Sequence, residues 1–230
     1  MRVSHSFPAI SAVFDDPNLV SFGGLAPTLA LAQRAGLADF VSSTLTLNFE
    51  GGANAHLKVP ALVAGMVAGA DSIDGMEVLR HGGMGRLFTG VRAPSTLGTF
   101  LRTFTFGHVR QLDAVAARFL AALAKNAPIL PGADQACYLD IDDTIKATHG
   151  YAKQGAGYGY TGVKGLNALL AIISTPTSAP VLAATRLRRG GTNSARAPPE
   201  SWPTPWSPPR RAADAGWSPC APTVRTTPMM

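Results

Sequence analysis

The chain reads as an α+β protein: a helical region over residues 26–126, three strands opening an α/β domain within 127–196, and a tail, 197–230, without the composition to fold. Three observations predict this. Apolar residues recur at helical spacing through the first region, strand-type alternation begins at Ala136, and the composition changes abruptly near Arg196. Residues 197–230 hold 9 of the 18 prolines and all three tryptophans, with no Leu, Ile, Phe or Tyr. Such a segment cannot bury enough apolar surface to offset its ordering entropy, so the expectation for it is disorder.

Residues 1–25 read as an irregular arm with an extended piece around Ala9 to Phe14. Helical pattern begins at Leu25, where Pro27 suits a first turn and Leu29, Ala32, Ala35, Leu37, Phe40 and Val41 recur on one side. Lys58 to Ala70 reads as a second helix, and Ser72 to Arg80 as a short third one stopped by Gly82 and Gly83. Pro94 opens another, with Ser95 or Thr96 as its cap and Leu97, Phe100, Leu101 and Phe104 as its apolar stripe. Val109 to Lys125 is the longest helix. After Pro128 and Pro131, Ala136 to Ile145 alternates as a strand, Leu166 to Ser174 is an apolar strand, and Val181 to Leu187 a third, with a turn over Ser174 to Pro180.

The 230 residues carry 20 Lys+Arg against 14 Asp+Glu, a net charge of +6 that admits a polyanion as partner. No apolar run approaches the roughly 18 residues of a membrane span, and no long apolar core precedes Asp15 and Asp16 as a signal peptide would need. Cytoplasmic residence is therefore expected. Cys137 and Cys220 make neither a disulfide framework nor a zinc set.

The strand from Ala136 carries Asp140, Asp142 and Asp143 in an otherwise apolar setting. Residues two apart on a strand project from the same face, so Asp140 and Asp142 stand together, and a hard divalent cation such as Mg²⁺ relieves their repulsion. From Arg80 to Lys125 seven basic residues face a single acid, Asp113. Among them Arg92, Arg102, Arg110 and Arg118 are candidates for contacts to DNA phosphates; the bland alternative is a solvated helix surface. Gly157 to Gly162 matches the dinucleotide fingerprint in letters, but it does not open a helix directly after a strand and reads as a flexible loop.

Two families share this aspartate pattern. Asp140, Asp142 and Thr144 fit the first motif of haloacid-dehalogenase-like phosphatases, which would make Asp140 a nucleophile and Asp142 its acid/base. A longer stretch, from about residue 20 to 196, resembles bacterial insertion-sequence transposases of the group-one DDE class. The resemblance is carried by Arg92 to Leu101, Gln111 to Asp113, Tyr138 to Thr144, His149-Gly150, Gly159-Tyr160, Lys164-Gly165 and Arg186 to Asn193. It implies the first three strands of a ribonuclease-H-like catalytic domain, with the first triad acid at Asp142 and Asp140 as the second claimant. It further implies Mg²⁺ as cofactor, insertion-element ends as the DNA partner, self-association and residence at the nucleoid. The family's second Asp and its Glu lie beyond the third strand.

Past Arg196 the only acids are Glu200 and Asp214, in an unrelated context. Reading the tail's implied codons from each third base changes that. Arg196 to Ser207 becomes compatible with Gly-Ala-Ala-Arg-Val-Leu-Ala-Asp-Ala-Leu-Val, an amphipathic helix opening. Cys220 to Met230 permits Arg-Ala-Asp-Ser-Ala-Tyr-Tyr-Ala-Asp-Asp, in which only the last Asp is forced. Arg-Ala-Asp-Ser is what the resemblance expects around the second acid, which would then be encoded across the codons of Pro222 and Thr223. The expectation is a frameshift near Arg196 and a catalytically silent chain that retains at most a DNA-binding, inhibitory role.

Overall fold

Where the sequence alternates strictly it forms strands, and where apolar residues recur every three to four positions it forms helices. The computed structural model describes residues 16–48, the backbone of Glu50, residues 51–150, 153–159, 161–192 and the backbone of Thr223–Arg225. The expected extended piece at Ala9 to Phe14 and the rest of the expected disordered tail lie outside the described residues. Helices α1 (Leu25–Arg34), α2 (Leu37–Thr44), α3 (Ala55–Val67), α4 (Met84–Leu87), α5 (Pro94–Arg102) and α6 (Phe106–Asn126) precede strands β1 (Tyr138–Ala147), β2 (Gly157–Tyr158), β3 (Lys164–Ser174), β4 (Val181–Arg189) and β5 (Thr223–Arg225). The chain is thus a helical region followed by a mainly antiparallel sheet. Among the described residues no helix is long and apolar enough to cross a membrane.

The chain divides into two compact units, residues 1–30 with 47–104, and residues 31–46 with 105–230. In the first, α3 and α5 pack on a 3-10 helix, Asp74–Leu79, around buried Leu62, Ala64, Met76, Leu79, Met84, Leu97 and Phe100. A Cβ at Gly65 would strike Met76 Sδ, so any side chain there would force the end of Met76 to move. The second helix starts and stops three residues earlier than the pattern predicts. Gly69, at φ 91°, lets the Ala70 N–H reach the Gly65 carbonyl at 2.8 Å and the Gly69 N–H reach that of Met66 at 3.0 Å, a glycine stop that closes the helix at Val67.

Helix α5 begins at Pro94, whose missing N–H costs nothing in a first turn, but its N-cap is Ala93 and no side chain caps it. The capping role expected of Ser95 or Thr96 is therefore not taken up; both hydroxyls lie inside the first turn. Helix α6 starts earlier than Val109, because Thr105 and His108 form a reciprocal capping box.

In the second unit α6 packs against α2 and against β4. Val41 and Val115 are buried in the helical part. Gln111 holds Thr46 through two hydrogen bonds, accepting from its N–H and donating to its hydroxyl, each 2.9 Å. Strand β3 is the centre of the sheet: β1 pairs antiparallel along one side, from Tyr138 opposite Ser174 to Ala147 opposite Gly165, and β4 along the other. Alternate residues of β3, from Gly165 to Ile173, are buried, so one face of the sheet is covered. A bulge at Ala171/Ile172 re-phases β4. Beyond β1, Thr223–Arg225 adds a parallel strand with Thr223 opposite Tyr138 and Arg225 opposite Asp140. Gly157-Tyr158, expected in a flexible loop, instead pairs with β3. The glycines there serve close backbone approach: a Cβ at Gly190 would strike the carbonyl oxygens of Gly165 and Gly157.

Leu97 is fully enclosed, so Leu97→Ala should cost about 2–5 kcal/mol of stability, read as a lower urea midpoint with an unchanged m-value.

Candidate functional site

Strand β1 sorts its three acids onto two faces. Asp140 and Asp142 share the face whose described residues on β1, β3 and β4 are all half-buried or exposed, as the two-residue spacing predicts. Asp142 is exposed, and its Oδ1 accepts the Asp143 N–H at 2.8 Å. Asp140 is half-buried, and its backbone lies between Ile172 of β3 and Arg225 of β5. Two carboxylates in this arrangement are oxygen donors of the right kind for a hard cation. Among the described residues no group of three or more Asp, Glu, His or Cys gathers to hold one, so the pair is right in chemistry and short in number.

Asp143 turns to the opposite, covered face and is a structural group. Its Oδ2 accepts from Asn167 Nδ2 at 2.5 Å and from Arg188 Nη2 at 3.1 Å, while Arg188 Nε donates to Asn167 Oδ1 at 2.8 Å. The Asp143 and Arg188 side chains are only 9% and 12% exposed. One residue from each of β1, β3 and β4 thus closes a three-strand polar clasp. Buried charges of this kind persist only when paired and hydrogen-bonded. The sequence signal was present but silent: Asn167 interrupts an apolar strand, and Arg188 follows on the next strand.

On the same covered side, α6 meets β4 through Arg110, Asp113 and Arg186, around a cavity of about 30 Å³. Arg110 Nη1 donates to Asp113 Oδ2 at 2.9 Å. Burial pushes the Asp113 carboxyl above its ordinary range and outweighs the opposing pull of Arg110 and Arg186. Burial, with Arg110 next, lowers Arg186. One buried nitrogen of Arg186, Nη2, has no hydrogen-bond partner, and the cavity has room for a water to serve it.

The four candidate DNA contacts are divided between the units. Arg92, ahead of α5, and Arg102, at its end, are exposed in the first; Arg102 Nη2 donates to Thr99 Oγ1 at 3.3 Å. In the second, Arg118 is exposed on α6 but donates to Thr44 Oγ1 at 2.7 Å, and Arg110 is committed to Asp113. Arg92 and Arg102 are therefore the freest of the four to meet a phosphate. His149 is an exposed residue just past β1, and Cys137 is a half-buried residue just before it. No protein-family model, curated protein or solved structure matches this chain.

Two outcomes follow from the covered face. Arg188→Ala strands Asp143 in a buried site and should cost about 3–5 kcal/mol, whereas replacing Asp140 by Asn on the open face should leave the melting temperature nearly unchanged. Because the folded-state pKa of Asp113 is raised, its proton stabilises the fold below about pH 4, its unfolded value, and that contribution is lost as pH rises through the folded value. Asp113→Asn keeps the neutral form, so its stability relative to the parent should grow as pH rises through that window and level off above it, measured by paired thermal melts.

Proposed function

We propose that this chain derives from a DDE insertion-sequence transposase whose reading frame shifted near Arg196, leaving a DNA-binding protein that does not cut. The observation that carries the reading is the environment of β1. Asp140 and Asp142 stand together on the open face of the first strand, where the resemblance expects the first acid. The strand beyond the third that pairs with β1 is Thr223–Arg225, with Thr223 opposite Tyr138, two residues from Asp140. The shifted frame permits, without forcing, an acid across the codons of Pro222 and Thr223.

The antiparallel order of β1, β3 and β4 supports a ribonuclease-H-like plan for this sheet. When bound, divalent ions at such a site would activate a water or a DNA 3′-hydroxyl. The chain's own share is to hold Asp142, with Asp140 beside it, on a strand whose register the clasp at Asp143 fixes. In the translated frame Pro222 and Thr223 stand where that acid would be. Exposed Arg92 and Arg102 leave the helical region able to meet phosphates, so the chain is read as a competitor of intact copies for element ends.

The test is a pair of proteins. The chain as translated should bind terminal-repeat DNA with an affinity that falls steeply between about 50 and 200 mM salt, and should make no cut with Mg²⁺. A chain with the frame restored after Arg196 should cut, and Asp142→Asn should abolish that. Cutting by the unrestored chain, or a restored chain indifferent to both Asp142→Asn and Asp140→Asn, would contradict the reading.

A further inference from the structure

A cleft of about 290 Å³ in the first unit is lined by Gly51, Lys58, Ser95, Thr96 and Thr99, and has no role in the chemistry of β1. Its most unusual member is Lys58, a lysine only 6% exposed. Lysines are almost never buried to this degree without a counter-charge. Among the described residues, no carboxylate lies within ion-pair distance of its ammonium. Nζ donates to the Gly51 carbonyl at 3.0 Å and sits 5.1 Å from the centre of the Phe100 ring. An ammonium has three donors, so one carbonyl leaves two to be filled. Lys58 also stands in the opening turn of α3, where the helix dipole disfavours a cation and favours an anion.

The rest of the cleft adds further donors and no negative charge. Helix α5 opens into it with no capping side chain, since Ala93 is the N-cap and Pro94 has no N–H. The Thr96 and Leu97 N–H groups both turn back to the Ala93 carbonyl, while that of Ser95 has no acceptor among the described residues. The Ser95 and Thr96 hydroxyls, which cap nothing, and that of Thr99 line the same cleft. Thr99 Oγ1 donates to the Ser95 carbonyl at 3.0 Å and receives Arg102 Nη2, which brings a second cation to the rim. A buried ammonium, hydroxyl donors, an uncapped helix N-terminus and a nearby guanidinium match a tetrahedral oxyanion with several acceptor oxygens. A carboxylate, with two oxygens in one plane, would leave part of the set unused.

We propose that this cleft binds a phosphate group, held by Lys58 Nζ, the Ser95 and Thr96 hydroxyls and the Ser95 N–H. The group is either a backbone phosphodiester of nucleic acid or free phosphate. The inference rests on the cleft and not on the transposase reading; a phosphate site survives the failure of that reading.

The experiment uses the full chain, titrated separately with inorganic phosphate and with a DNA duplex lacking terminal phosphates, following the Ser95 and Thr96 amide resonances. Both resonances should move saturably with at least one of the two probes. Lys58→Met, which keeps the stem and removes the charge, should weaken that binding about tenfold or more. Ser95→Ala with Thr96→Val alters two exposed hydroxyls and should weaken it several-fold without lowering the melting temperature, so the test stands if Lys58→Met fails to fold. If the duplex is the ligand, phosphate competes with it and both variants weaken it. If phosphate is the ligand, it saturates alone and duplex affinity ignores both variants. Resonances that stay still with both probes, or binding indifferent to the variants, would overturn the proposal.

Discussion

The register of β1 is the constraint on which the candidate site depends, and the clasp of Asp143, Asn167 and Arg188 holds it. Side chains on a strand alternate, so a slip of one residue would carry Asp140 and Asp142 to the covered face and bring Asp143 out. Pairing of Asp143 with residues on both of the other long strands penalises that slip with a buried, unpaired charge. The apolar members of the covered face, Leu169, Ala171 and Ile173, reinforce the same register through burial. The polar clasp thus acts chiefly as a specificity device: it fixes which carboxylates meet solvent.

The sheet's two faces divide labour accordingly. The covered one carries α6 and, between α6 and β4, a cluster of two guanidiniums around one carboxylate; the other presents Asp140 and Asp142. A similar logic governs the first unit, where Lys58 and the uncapped start of α5 gather donors around a cleft instead of satisfying one another. In both units the polar groups that matter are ones the local secondary structure does not use up.

Much of this was legible from periodicity alone. The three long strands, the helix over 106–126 and the shared face of Asp140 and Asp142 follow from spacing, because periods of two and of 3.6 are local properties. What escaped was decided by contacts between residues distant in sequence. Asp143 looked like a third member of an acidic cluster until Asn167 and Arg188, on other strands, claimed it. Arg110 looked like a free cation until Asp113, one turn on, took it. Ser95 and Thr96 looked like caps because their type suits the role, yet backbone extended at Ala93 moved the cap one residue ahead of Pro94. Gly157 looked flexible, whereas it pairs with β3, and the missing side chain of Gly190 is what lets the backbones of Gly157 and Gly165 come close. Lys58 gave no signal at all, since only the fold reveals that it is buried.

Whether residues 197–230 are a catalytic segment read out of frame, as proposed, is decided by the nucleotide sequence of the gene with its flanks. In a shifted frame, the bases spanning the codons of Pro222 and Thr223, read from the third base, should spell an aspartate within Arg-Ala-Asp-Ser, and terminal inverted repeats should flank the gene. Third bases that do not yield that peptide, in a gene without such repeats, would contradict it.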